Sequence, residues 1–283
     1  MSEPRHDPTY CEGEVRAHDR DRYLVTQFAP APRRAALYAL YAFNLEVAKT
    51  AEVVSEELLG QIRLEWWREA IEECYDGEPR RHEVVEALAG AIREHGLTRG
   101  HFKRLIDARA FDLDPEPHAT LAALEAYAEA TSSTLLWLAM EALGSAGEEA
   151  WEAGRHVGIG WALTGLIRAM PFHLRAGRIY LPAEMSQRHG IRRPDLLALK
   201  PSPGLAAAIR EIADAARLHL ASARAPHAEI DRLAMPALFL ATLADVYLER
   251  LARAGHDPFD PGLAAPSALR SLRLWFRATR GRY

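Results

Sequence analysis

Apolar residues recur at helical spacing along almost the whole chain, and no stretch alternates β-branched with polar residues between turn dipeptides. Side chains three and four apart share one face of a helix, whereas a strand repeats every two residues. A chain with only the first pattern must build its core from helix faces, so the expected fold class is all-α. From Arg33 to Ala51, the residues Leu37, Leu40, Tyr41, Leu45 and Ala48 fall on one face, and Pro32 suits a first helical turn. A second helix is expected from Ser55 to Tyr75, with Ser55 as N-cap, acids in the first turn, and Gly77 and Pro79 at its end. Further helices are expected over 82–95, 98–111, 119–143, 147–174, 204–224, 234–254 and 266–278. Pro171 and Pro182 bracket an irregular stretch from about Met170. No internal repeat and no low-complexity linker divides the chain. Residues 1–20 read as a loose tail, and 21–283 as one domain of eight to ten helices.

Composition narrows the function classes. Thirty-five basic residues against 39 acidic ones leave a net charge of −4, which argues against a dedicated nucleic-acid binder. Two cysteines, Cys11 and Cys74, exclude a disulfide framework and fit a reducing compartment. No run of 18 apolar residues would span a bilayer, and the mixed-charge N-terminus is neither a secretory signal nor a transit peptide. A cytoplasmic location is expected. Nucleotide-loop, nucleophile-elbow and zinc-protease motifs are absent. The run Thr131-Ser132-Ser133-Thr134 reads as helical hydroxyls bonding back to the preceding turn.

Several segments carry a resemblance. ALYALYAFNLEVAKTAEVVSE (36–56), RLEWWREAIEECYDGEP (63–79), LIDARAFDLD (105–114) and ALTGLIRAMPFHLRAGRIYLP (162–182) together resemble the squalene/phytoene synthase family. The block Gly177-Arg178-Ile179-Tyr180-Leu181-Pro182 matches its GRxYLP segment, and Tyr38, Tyr41, Ala42 and Phe43 match the segment before its first aspartate-rich motif. The resemblance implies an isoprenoid-synthase-like helical bundle with a central cavity, in which magnesium held by aspartates promotes loss of diphosphate.

The matching positions depart from that pattern. The first motif, DDxxD in the family, falls on Ala48-Lys49-Thr50-Ala51-Glu52, and the second, DxxxD, on Ala169-Met170-Pro171-Phe172-His173. A Gln and an Asn upstream of the second fall on Ala162 and Gly165. Magnesium prefers oxygen ligands, so it is not expected here, and no residue is assigned a catalytic role. Arg168, which matches a diphosphate-contacting arginine, is kept. Arg168, Arg175, Arg178, Tyr180 and Tyr41 are the candidate anion- or ligand-binding residues, with salt-bridged surface arginines as the plainer reading.

The same losses mark a branch of the family that resembles an assembly factor of respiratory complex I. Ala42 to Glu46, residues 54–56 and 127–136, and the Arg168, Ala169, Pro171, His173 pattern carry that narrower likeness. It implies complex I subunits or assembly proteins as partners. A prenyltransferase with an unorthodox site and a non-catalytic isoprenoid- or lipid-binding protein stay open. Residues 270–283 hold five arginines and no acid. As a helix they would lie against an anionic membrane, or else dock Leu272, Trp275 and Phe276 on the core.

Overall fold

A computed structural model describes residues 8–54, 56–145, 147–225, 230–263 and 268–283. These residues form helices joined by short turns, and no strand is present among them. In chain order the helices are α1 (Pro8–His18), α2 (Arg20–Thr26), α3 (Arg34–Ala48), α4 (Thr50–Val53), α5 (Glu57–Asp76), α6 (Glu83–His95), α7 (Arg99–Arg109) and α8 (Leu121–Ala128). They continue as α9 (Thr134–Leu143), α10 (Glu148–Arg175), α11 (Ala183–Arg188), α12 (Arg193–Leu197), α13 (Pro203–Ala223), α14 (Met235–Leu238), α15 (Leu240–Arg253) and α16 (Ala268–Thr279).

The 28-residue α10 is the axis of the bundle, packed on α9, α13 and α15. It also packs on a single π-helical turn, Glu129–Ser133, between α8 and α9. Gly158 makes that approach possible, because a Cβ there would sit 2.4 Å from the Ser133 Cα. The π turn interrupts the helix expected over 119–143. Thr131 and Thr134 turn their hydroxyls back to the carbonyls of Tyr127 and Glu129, as read from the sequence, and Ser133 donates to the Arg155 carbonyl on α10. Gly77 and Gly96 close α5 and α6 in left-handed conformations, which glycine adopts without a Cβ penalty. The expected cap at Ser55 lies outside the described residues.

Two sequence expectations need correction. Residues 8–18, read as loose tail, form α1, whose Cys11 and Val15 are buried against α3 and α6. These two positions, four apart, make an apolar stripe too narrow to stand out among charged neighbours. The irregular stretch begins at Ala176, not Met170, because α10 runs through Pro171. Proline removes one bond, to the Ile167 carbonyl, while buried Ile167, Met170 and Leu174 keep that turn docked. Two short helices, α11 and α12, follow in a segment for which the sequence showed no helix.

At the C-terminus, α16 docks through Leu274, which is fully buried, while Leu272, Trp275 and Phe276 are 60, 59 and 46% exposed. The expectation that these three would pack on the core is therefore wrong. Beyond the helix, Tyr283 donates to the Ala223 carbonyl at 2.5 Å and accepts at its carbonyl from Arg224 at 2.7 Å.

Candidate functional site

Loop and helix ends deliver a polar cluster to the middle of the bundle. Asp112 lies on the turn that follows α7 and is almost fully buried. Its carboxylate accepts from Tyr127 on α8 at 2.6 Å, from Tyr180 at 2.8 Å and from Arg109 at 3.1 Å. Arg109 also donates to the Tyr127 hydroxyl at 2.9 Å. Three donors and one compensating cation satisfy the buried acid, as a carboxylate out of water requires. Burial pushes both tyrosine hydroxyls well above the usual range. His118 stacks on Phe111 with ring centroids 3.6 Å apart, and His173 lies against Tyr180. Burial drives both imidazoles down to about 4, so they are neutral at pH 7.

This cluster borders a cleft of about 240 Å³ that is also lined by Arg22, Asn44, Ser132, Trp161, Ala162, Gly165 and Leu166. On the other side of Gly165 opens a larger cleft of about 810 Å³, walled by Arg20, Arg168, Arg175, Arg250, Arg270 and Tyr247. Between the helices behind it sits a second buried acid, Asp21 of α2. Its oxygens accept from Tyr247 at 2.8 and 3.0 Å, from Arg270 at 2.9 Å and from Arg168 at 3.2 Å. The Arg168 guanidinium also lies 3.5 Å from the Tyr247 ring centre, at cation–π distance.

The candidate residues read from the sequence do not converge on one place. Arg168 and Arg175 share the arginine-walled cleft, Arg168 already paired with Asp21 and Arg175 exposed. Arg178 and Tyr180 line a narrow pocket with His173 on the opposite side of α10, where Arg178 donates to the Ala51 carbonyl. Tyr41 is buried, with the Arg22 guanidinium 5.6 Å above its ring. Asp21, Arg22, Ser132, Tyr247 and Arg270 were not legible as site residues. They stand in unrelated segments, and only the packing of α2, α10, α15 and α16 brings most of them together.

The positions of the aspartate-rich motifs hold no ligand set. Lys49 points toward Glu14 and Glu46, at 3.7 and 3.9 Å. Ala48 and Ala169 offer no oxygen, and His173 offers a ring buried against Tyr180. Among the described residues no three His, Cys, Asp or Glu are grouped so as to hold a metal ion. The residues present do not fit the magnesium pair that the resemblance implied.

Comparison with known proteins places the whole chain. It is 32% identical over 274 residues to the NADH dehydrogenase (ubiquinone) complex I, assembly factor 6, of Rattus norvegicus, covering 97% of this chain and 82% of the relative. The human protein of that name is 31% identical over the same span. In three dimensions the chain is similar to a dehydrosqualene synthase solved with a ligand, with a TM-score of 0.84, 19% identity and 96 and 95% of the two chains covered. That likeness shows a shared isoprenoid-synthase fold. The sequence profile of squalene/phytoene synthases matches residues 15–274, from within α1 to within α16, and the chain belongs to the squalene/phytoene synthase family.

Proposed function

We propose that this protein is an assembly factor for respiratory complex I, built on a prenyl-synthase fold that does not perform magnesium-dependent condensation. The observation that carries this reading is the coincidence of two facts. Identity to assembly factor 6 extends over nearly the full chain. The positions that would hold magnesium carry Ala48, Lys49, Ala169 and His173. Ionisation of a diphosphate leaves a concentrated negative charge that magnesium would neutralise, and magnesium needs several oxygen ligands to hold it, which Glu52 alone does not supply.

Its partners are complex I subunits or other assembly proteins, met from the cell interior at the inner membrane. Arg168 and Arg175 form part of an arginine-walled cleft suited to an anionic head group, and the outer face of α16 supplies the membrane contact. No described helix is long and apolar enough to cross a membrane, so such contact is peripheral.

Deleting the gene lowers assembled NADH:quinone oxidoreductase on native gels and spares the other respiratory complexes. The purified protein yields no C30 or C40 product from farnesyl or geranylgeranyl diphosphate with magnesium. Normal complex I in the deletion strain overturns the assembly role, and either product overturns the loss of condensation.

A further inference from the structure

A group of apolar side chains stands in solvent where α4 meets α5. Val53, Leu58, Leu59 and Ile62 are 59, 67, 47 and 57% exposed. Leu58 and Leu59 precede Ile62 by four and three positions, so the three share one face of α5, and Val53 belongs to the short helix packed on it. A single exposed leucine is ordinary on a protein surface, whereas a group of them marks a contact. Outside α16, no other ten-residue stretch among the described residues exposes more than one large apolar side chain.

The surround of this patch is acidic. Glu52, Glu56 and Glu57 are exposed and join no ion pair among the described residues. Glu65 and Glu69 continue the same face two turns after Leu58 and Ile62, each already sharing an arginine of this chain. Acids in a first turn offset the helix dipole, which accounts for Glu57 but not for the leucines beside it. An anionic leaflet would be repelled by these carboxylates, so the patch is not a second membrane face.

Size narrows the occupant further. Full burial of a Leu, Ile or Val side chain removes on the order of 60–120 Å² of apolar surface from water, so four half-exposed ones offer on the order of 200 Å². Each partner in a standard interface between folded proteins buries about 800 Å². A short segment with two or three apolar anchors matches the patch, and a second copy of the whole fold does not. The described residues hold no sheet edge to extend, so such a segment meets the side-chain ridges of α5 as a helix.

We propose that this face of α4 and α5 docks an amphipathic helix of a partner protein, its apolar side chains set on Leu58, Leu59 and Ile62 and its lysines or arginines facing Glu52, Glu56 and Glu57. That the partner is a complex I subunit or assembly protein rests on the assembly role proposed above; the docking chemistry does not.

Fluorescence anisotropy of the full-length protein with two dye-labelled peptides of about five helical turns tests it. Both carry leucines at helical spacing, one with lysine and the other with glutamate at every remaining position. Saturable one-to-one binding of the lysine peptide is expected, about tenfold tighter or more than that of the glutamate peptide. Leu58→Gln with Ile62→Gln keeps every charge and the unfolding temperature, yet weakens binding about tenfold or more. Glu56→Lys with Glu57→Lys weakens it about threefold. Equal binding of the two peptides overturns the proposal, as does undiminished binding by the glutamine variant. A dimer in sedimentation that the glutamine variant abolishes assigns the face to a second copy, and vesicle flotation lost in that variant assigns it to lipid; either result overturns the proposal. In the deletion strain, the wild-type gene restores complex I and the glutamine variant does not. Full restoration by the variant overturns the docking role and leaves the assembly role standing. Normal complex I without the gene overturns the assembly role alone, and the peptide titration still decides the docking.

Discussion

A single carboxylate at position 21 holds together side chains from three other helices. Tyr247 comes from α15, Arg168 from α10 and Arg270 from α16, and all donate to Asp21. The acid is almost fully buried, while its two arginines are a quarter to a third exposed. Exposure weakens each ion pair through solvent screening. Removing the acid still leaves two cations facing each other without compensation, which is worse than losing the attraction alone. Asp21→Asn is therefore expected to cost about 2 kcal/mol in urea unfolding monitored by circular dichroism. The loss should concentrate in α16, seen as faster amide exchange over residues 270–279. A variant as stable as the wild type, with unchanged exchange there, would show that the acid is dispensable.

At the scale of elements, two glycines of α10 make opposite use of the same lack of a side chain. Gly158 lets the axis helix touch the backbone of the π turn, whereas Gly165 faces open space. Gly158→Ala places a methyl inside van der Waals contact with Ser133 and is expected to destabilise by about 2–3 kcal/mol. Gly165→Ala relieves the entropic disadvantage of glycine within a helix and is expected to stabilise by about 0.5–1 kcal/mol. Thermal unfolding of the two variants checks both signs, and equal shifts in the same direction would refute the packing argument. Helix positions were legible where a helix buries an apolar stripe and ends at a glycine, as α5 does at Gly77 and α6 at Gly96. The short α11 and α12 were not, because five or six residues hold too little periodicity to register. The motif positions at 48–52 and 169–173 were placed by the family resemblance of the segments around them and not by any spacing of their own. The Asp112 cluster was readable only in part, since Arg109, Tyr127 and Tyr180 meet that acid through the packing of separate segments. The Asp21 pin has no local sequence signal.

At the scale of the whole molecule, α16 presents a face that is both apolar and basic. The chain is acidic overall, yet α16 displays Leu272, Trp275 and Phe276 to solvent beside Arg277 and Arg280. Arg280 lies over the Phe276 ring at 3.8 Å, and Arg273 is engaged by Glu249 at 2.8 Å. Basic and aromatic side chains on an amphipathic helix suit the headgroup boundary of an anionic leaflet, each free arginine adding about 1 kcal/mol. Full-length protein should float with vesicles containing phosphatidylglycerol at low salt and stay unbound in about 0.5 M salt, where the Debye length is roughly 4–5 Å. Trp275→Ser combined with Arg277→Ser and Arg280→Ser should abolish flotation without unfolding the protein. Equal behaviour of the two proteins would count against a membrane face. The Asp21 pin also sets an order in time. Its partners follow it in the chain by 147, 226 and 249 residues. At a synthesis rate of roughly 5–20 residues per second, Arg270 is made some 12–50 s after Asp21. Until Arg168, Tyr247 and Arg270 arrive in turn, the carboxylate lacks its full set of partners. Closing so long a loop adds only a logarithmic entropic cost, so the delay comes from translation and not from the search. The newborn chain can assemble α1, α3, α5, α6 and α7 early, but the Asp21 link between α2 and α16 can form only after residue 270 has been made.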